Sequence, residues 1–388
     1  MHRGDGKEPG PLEGWLREKI RHTGPITVAE FIGHALYHPQ YGYYTTGPNI
    51  GPRGDFVTSP EASPAFGKLF GIHLAEIDAL LGKPHTFHAI EFGPGRGTLA
   101  RDLLDEMRSA HPDLYARLRY RLVDVSPALR EAQRAKLLPD HGEKVEWHTD
   151  VSEIPVGVEG AAIANELVDA FPVHVIENKD GVLGEQYVAL DREEKLAITL
   201  RPLSDERLSA FLVEEGIEVQ PGEQVEVNLA VQGWLNSLGA VMTRGVATLI
   251  DYGDEAPARY SPARREGTLL GYYGGSVTDS ILAHPGEQDL TALVDFTALK
   301  HAAVRAGFSV LGITRQANFL LGLGLGTKLR PESLVEAGNV DAALHYRRGL
   351  QSLISMEGLG RFHVLMLSKW VDLDAGRQSL SGWKYAGA

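Results

Sequence analysis

The chain has 388 residues, 43% hydrophobic and 23% charged, which suits one large α/β domain with additions or two domains. A formal net charge of −13 with only isolated basic pairs, Arg264-Arg265 and Arg347-Arg348, argues against a nucleic-acid partner, and the lack of cysteine excludes disulfides, thiolate nucleophiles and cysteine-bound zinc. No apolar run approaches the roughly 20 residues that span a bilayer, and polar Met1 to Gly10 reads as neither signal nor transit peptide, so the expectation is a cytoplasmic, bacterial-type protein.

Residues 11–22 predict a first helix with Leu12, Trp15, Leu16 and Ile20 on one face. Thr27-Val28-Ala29-Glu30 is a capping box ahead of Phe31, Ile32 and Leu36. The aromatic stretch Tyr37 to Tyr44 and residues 51–61 then show no regular period, yet they hold Arg53, Asp55, Thr58, Ser59 and Glu61. A polar loop this long is functional or disordered. Its aromatic residues oppose disorder, so it reads as a lid or substrate loop, with an ordinary surface loop as the alternative. Ser63-Pro64 reads as the cap and first turn of a helix to about Leu81.

The most informative stretch follows: Ala89-Ile90-Glu91-Phe92-Gly93-Pro94-Gly95-Arg96-Gly97-Thr98-Leu99. The apolar run His88 to Ile90 predicts a buried parallel strand, and Leu99, Leu103, Leu104 and Met107 share one helical face after it. The three glycines permit positive φ and close approach of a ligand, and the helix start offers unpaired N–H groups. The spacing G-x-G-x-G is not the G-x-G-x-x-G of dinucleotide folds, and no G-K-[ST] follows as a phosphate loop requires. Glu91 would repel a pyrophosphate but suits a cation. The turn, with Pro94 and Thr98, therefore predicts a cradle for S-adenosylmethionine, which carries an ammonium and a sulfonium; a ligand-free turn is the alternative.

Tyr120 to Val125 predicts a second strand about 30 residues later, as in a βαβ unit. Asp124 sits where such folds place the carboxylate for ribose hydroxyls, with Val125 and Ser126 beside it. It could instead cap the helix predicted over 127–137, although Ser126-Pro127 can do so. Val145 to His148 is a third strand, followed by Asp150 and Val151; Asp150 either faces the adenine amino group or is a turn residue. Ala161 to Ala164 is a fourth buried strand running into Asn165-Glu166-Leu167-Val168-Asp169-Ala170. In open parallel sheets, ligands sit beyond the carboxyl ends of the strands. Two acids and an amide are costly to bury there without partners; the alternative is a helix start whose dipole favours acids.

Residues 173–229 break the alternation. Asn178-Lys179-Asp180-Gly181 signals a hairpin, and residues 196–200 and 224–229 add strands around a short helix. This antiparallel insertion shapes either the substrate side or an oligomer contact. Gly245 to Gly253 is a fifth core strand ending in Asp251-Tyr252-Gly253, and Gly267 to Tyr273 is extended. Residues 285–296 lead into a helix to Gly307, Phe308 to Thr314 is a sixth strand, 331–352 are helical, and Arg361 to Trp370 is the last strand. Gly322-Leu323-Gly324-Leu325-Gly326 repeats the glycine spacing without a preceding strand and acid, and reads as a helix end. The histidines, including His85, His88 and His148, show no metal-ligand spacing, and there is no G-x-S-x-G elbow. These pieces divide the chain into N-terminal helices and lid (1–82), the first half of a cofactor-binding core (83–172), the insertion (173–232) and the second half of the core (233–388).

From roughly Ile26 to Trp370 these motifs resemble, in their order, the MidA-like family of S-adenosylmethionine-dependent protein-arginine methyltransferases tied to assembly of respiratory complex I. The matching pieces are Ala35-Leu36-Tyr37-His38-Pro39 with Gly42-Tyr43-Tyr44, Gly54-Asp55-Phe56-Val57-Thr58-Ser59-Pro60-Glu61, and Glu91 to Leu99. To these add Asn165-Glu166 with Asp169-Ala170 and Pro172, Asp251-Tyr252-Gly253, Asp289-Leu290-Thr291 and Val294-Asp295-Phe296. The resemblance implies a class I methyltransferase (Rossmann-like) α/β fold: a seven-stranded, mostly parallel sheet with helices on both faces, plus an N-terminal helical lid and the antiparallel insertion. It implies a protein substrate with a target arginine, such as a NADH dehydrogenase subunit, with no nucleic acid, no membrane insertion and a homodimer left open. The chain departs from the family at Leu293, where histidine is usual, and at Gly274-Gly275, where the family is basic.

On this reading Glu91 and the Gly93–Gly97 backbone hold the methionine part of the cofactor, Asp124 the ribose and Asp150 the adenine. An arginine acceptor is protonated at pH 7, so carboxylates must grip it. Glu166 and Asp169, with Asn165, are the first choice, Asn165 and Glu166 also lining the cofactor; Asp55 and Glu61 on the lid are the second. Two other functions stand beside this one: a non-catalytic assembly chaperone that binds the cofactor, and an NAD-dependent oxidoreductase, which the glycine spacing opposes.

Overall fold

Alternating apolar runs and amphipathic helices of this kind bury a parallel sheet between helical layers. The computed structural model describes residues 10–47, 57–278, 280–328 and 340–386. The chain forms two compact units, one of residues 49–169, 231–259 and 293–388, the other of residues 1–48, 170–230 and 260–292.

The larger unit holds a seven-stranded sheet. We label its strands in chain order: β1 Phe87–Phe92, β2 Leu118–Val123, β3 Val145–His148, β4 Val158–Asn165, β5 Met242–Asp251, β6 Ser309–Arg315 and β7 His363–Lys369. The spatial order is β6-β7-β5-β4-β1-β2-β3. All pairings from β5 to β3 are parallel, and β7 runs antiparallel to both β5 and β6. The chain leaves β1 for β2 on one side and returns to β4 on the other. A crevice therefore opens beyond the carboxyl ends of β1 and β4, where such sheets bind ligands.

Successive side chains of β1 serve opposite faces. Phe87 and Ala89 join a core with Leu99, Leu103, Phe66 and Phe70 from helices Ala65–Leu80 and Thr98–Ala110. Phe92, on the other face, meets Trp234 of helix Ala230–Val241 edge-on, with centroids 5.3 Å apart. Phe66, Phe70 and Phe319 are fully buried, and each contributes about 1.5–3 kcal/mol by leaving water. Among the described residues no helix is long and apolar enough to cross a membrane.

The helix expected to stop at Leu137 continues to His141, through Pro139. Pro139 lies in its last turn. Buried His141 anchors that turn by bonds to the Tyr115 hydroxyl (2.8 Å) and Asp105 (3.1 Å). Residues 331–339 of the helix expected over 331–352 lie outside the described residues; Val340–Ile354 is helical.

In the smaller unit, Val182–Leu190 pairs with His174–Lys179 and with Leu196–Arg201. The turn of the first hairpin, Asp180-Gly181, has φ of 55° and 88°, both positive as a type I′ turn requires. Thr27 caps helix Val28–Tyr37 through the Glu30 N–H. It also joins Ile26 in a short strand paired with Val188 and Tyr187, which the local sequence does not announce. Leu270–Tyr273 lies between Ser276–Thr278 and Asp289–Thr291. Gly274-Gly275, with φ of 59° and 77°, closes the turn that pairs Tyr273 with Ser276. A basic residue at either place would be strained, so the departure there buys a tight turn.

A close backbone approach lies in the central strands. Gly160 on β4 pairs with His88 on β1 and with Gly245 on β5. A Cβ on Gly160 would come within 2.0 Å of the His88 carbonyl oxygen, and φ there is 150°. Gly160→Ala is expected to destabilise the fold by about 2–4 kcal/mol, read as a fall in the denaturant midpoint with an unchanged slope.

Candidate functional site

The carboxyl edge of the larger unit's sheet gathers acids that the strands carry out of water. Glu91, 3% exposed, accepts the Tyr120 hydroxyl of β2 at 2.6 Å. Burial pushes its carboxyl up to about 7; Asp124 adds to this and the Tyr120 bond opposes it. Beyond Glu91, Gly93, Gly95 and Gly97 have φ of 58°, 52° and 73°. All three are left-handed, which is why glycine recurs at alternate positions. A Cβ on Gly93 would stand 2.9 Å from Leu167, and one on Gly97 would stand 3.3 Å from Gln133. Pro94 is buried between them. No side chain caps helix Thr98–Ala110 at Gly97, so its first amides remain with the turn.

Asp124 ends β2, buried. Its Oδ1 accepts Ser126 N–H at 2.8 Å and its Oδ2 accepts Gln133 Nε2 at 2.7 Å. Burial raises it to about 6 against those two donors. Ser126 caps the following helix at Leu129 N–H, and Val125 is exposed. Gln133 Nε2 also donates to Gly95 O at 2.7 Å, and Gln133 Oε1 accepts Trp147 Nε1. One amide thus ties the glycine turn to Asp124. Gln133 lies between Leu129 and Leu137 on the buried face of its helix; a polar residue in that apolar stripe was the signal for it. Asp150, exposed after β3, accepts Ser152 N–H at 2.8 Å as the cap of a short turn, and Val151 is buried.

Beyond β4, Glu166 Oε1 accepts Asn165 Nδ2 (2.9 Å) and Ser59 N–H (3.2 Å). The residue keeps some solvent contact, but its carboxyl is packed among protein atoms. Burial first, then Asp169, raises it to about 8, with the two donors opposing. Asp169 is buried in the turn Val168–Ala170. Asp251, at the end of β5, accepts the N–H groups of Leu167, Val168 and Asp169. Burial and the neighbouring Asp169 and Glu166 press its carboxyl upward, while N–H groups of Tyr252 and Asp169 oppose. Neither Asp251 nor Tyr120 declares itself locally, because only the strand order puts them beside the other acids.

Within the stretch read as a lid, the part described after residue 56 forms a helical turn, Ser59–Ala62. Fully buried Ser59 donates from Oγ to Gln316 at 2.9 Å. Glu61 Oε1 accepts the Thr98 hydroxyl at 2.6 Å, and Lys136 Nζ donates to the same hydroxyl at 2.6 Å. Glu61 therefore stands at the glycine turn, not beside Glu166. Asp55 lies outside the described residues.

Left-handed glycines that close around their neighbours, buried acids whose carboxyls burial has raised, and a strand-end aspartate fit a ligand carrying a ribose and a positive charge. Residues 69–314 match a family described as S-adenosyl-L-methionine-dependent methyltransferases. The chain is 31% identical to mouse (Mus musculus) protein arginine methyltransferase NDUFAF7, mitochondrial, over 96% of this chain and 89% of the relative. It is 30% identical to the human (Homo sapiens) protein of that name, over 96% and 88%. The crystal structure of a COG1565 superfamily member from Burkholderia thailandensis, bound to S-adenosyl-homocysteine, superposes with a TM-score of 0.85 at 30% identity, covering 98% of both chains.

Gln133→Ala is expected to weaken S-adenosylhomocysteine binding at least about tenfold, a loss of about 1.4 kcal/mol or more, measured by calorimetry at a temperature where circular dichroism shows the variant folded. With this sheet order and these matches across nearly all of its length, the chain belongs to the family of S-adenosyl-L-methionine-dependent methyltransferases.

Proposed function

We propose that the protein transfers methyl groups to an arginine side chain of a protein substrate. The observation that carries this reading is the close group of Glu166, Asp169 and Asp251 beyond β4 and β5, one strand from the glycine turn. The names of the mouse and human relatives support the acceptor, and the family resemblance adds a respiratory complex I subunit as its source.

In this reading Glu91 and the backbone of Gly93, Pro94, Gly95 and Gly97 hold the methionine part of the cofactor, with Thr98 and Glu61 closing that end. Asp124, Val125 and Ser126 take the ribose; Asp150 and Val151 border the adenine. A positive ligand restores the ionised form of Glu91. When bound, S-adenosylmethionine supplies a methyl carbon activated by its positively charged sulfur. The chain's own part is to align the acceptor, and alignment supplies much of the rate in such displacements. Glu166 and Asp169 pair with the guanidinium, which is protonated at neutral pH. Asn165 Oδ1, buried without a hydrogen-bond partner among the described residues, accepts from its N–H groups. Glu166 takes the proton that the attacking nitrogen gives up.

Glu166→Gln is expected to lower methylation of arginine-containing substrate about a hundredfold or more, while S-adenosylhomocysteine affinity stays within about threefold. A wild-type protein that binds the donor but labels no arginine in a protein extract, while still supporting assembly of its partner, would establish the chaperone instead. The raised carboxyl of Glu166 also sets a pH dependence. Its ionised form, which a cation prefers, accumulates only as pH climbs toward about 8. Thus kcat/KM for an arginine peptide should rise about tenfold per pH unit below that value and level off above it, checked by initial rates across the neutral range.

A further inference from the structure

Asp251 is 2% exposed. Its Oδ2 accepts the N–H groups of Leu167 (3.2 Å), Val168 (2.9 Å) and Asp169 (3.3 Å), and its Oδ1 accepts that of Tyr252 (2.9 Å). Successive amides converging on one oxygen form an anion-binding concavity, filled here by the protein's own carboxyl. The chain reaches this shape because Glu166 takes a left-handed backbone, φ 52°, uncommon for a residue with a long side chain. The Glu166 N–H still donates to Ile250 O at 2.8 Å, so the parallel ladder runs one residue past β4 before the reversal. The Glu166 side chain leaves that corner with donors on Oε1 only; among the described residues none reaches Oε2.

Three carboxyls this close and out of water do not all ionise. A proton on Asp251 would weaken charge-assisted bonds from four amides that already converge on it. A proton on Glu166 Oε2 opposes no donor. Between Glu166 and Asp251 the remaining neighbours leave this balance intact, because Asp169 presses both carboxyls upward alike. Glu166 faces the neutral Asn165 and the Ser59 N–H, and neither Glu166 nor Asp251 has an ion pair among the described residues. His363, the register partner of Asp251 on β7, is kept neutral by burial and by Arg315, its pKa lowered to about 4.

We propose that Asp251 is a positioning residue: it stays ionised as the internal anchor of residues 167–169 and thereby leaves the shared proton on Glu166, the carboxyl that meets the methyl acceptor. The acceptor contact of Glu166 is the one proposed above; the anchoring by Asp251 stands without it. Glu166 is then neutral until a cation enters, and acceptor binding expels one proton to solvent.

Carboxyl-carbon NMR on the labelled full chain, without acceptor, reads both groups. The expected result is an Asp251 signal that stays at the position of an ionised carboxylate from about pH 5.5 to about 9 and a Glu166 signal with a midpoint above about 7. An Asp251 signal that titrates in that range, or that stays at the protonated position throughout it, overturns the proposal, whatever the acceptor is. Asp251→Asn keeps the shape but sets an amide donor against one of the N–H groups. It should lower kcat about tenfold or more and shift the rising limb of the pH profile about one unit or more toward acid, because a like charge is gone. S-adenosylhomocysteine affinity should stay within about threefold. A lower kcat with an unmoved limb would leave Asp251 a purely structural role and overturn the proposal. Wild-type protein inactive on every arginine substrate would instead sink the acceptor reading and leave the NMR result to decide the anchor.

Discussion

The molecule's chemistry rests on carboxyl groups held out of water at the carboxyl edge of a parallel sheet and answered mainly by neutral donors. Glu91 has a tyrosine hydroxyl, Asp124 an amide and a backbone N–H, Glu166 an amide and a backbone N–H, and Asp251 four backbone N–H groups. Neutral donors orient a carboxyl without cancelling its charge. The edge therefore stores an appetite for positive charge, and both the donor and the proposed acceptor of a methyl group bring one. This links the sheet order to the reaction.

A parallel sheet suits this task. Each strand delivers its last residue to the same edge, and backbone amides beyond the ladder remain available. The reversal after β4 uses that surplus: three successive N–H groups turn to Asp251 on the neighbouring strand. The reversal also aims Glu166 at the Ser59 N–H. Thr58 to Ala62 thereby touches both ends of the site, through Ser59 at Glu166 and through Glu61 at Thr98. What looks like irregular chain in the sequence is a short brace across the crevice. It carries no amphipathic period because its polar side chains serve specific partners.

The glycines divide by cause. Gly93, Gly95 and Gly97 are needed for their left-handed backbone at a ligand turn. Gly160 and Gly245 are needed because neighbouring backbones leave no room for a Cβ. Gly274 and Gly275 serve a two-residue turn in the smaller unit. A sequence lists all of these alike, and only the first set forms a spacing that a reader can decode unaided.

Local sequence determined the α/β class, the strand and helix order, the hairpin at Asp180-Gly181 and the glycine turn with its acid, because each depends on periodicity or on residue types within a few positions of one another. It also singled out Asn165, Glu166, Asp169 and Asp124 by their place at strand ends. It misjudged the end of the helix at His141, where distant Tyr115 and Asp105 supply the anchor. Only the tertiary structure decided that Gln133 binds the turn to Asp124, that Tyr120 meets Glu91, that Glu61 belongs with Thr98, and that Asp251 holds the loop of Glu166. Such pairings depend on strand order and register, which bring residues 9 to 84 positions apart to hydrogen-bond distance, and nothing in the local period of the chain encodes them.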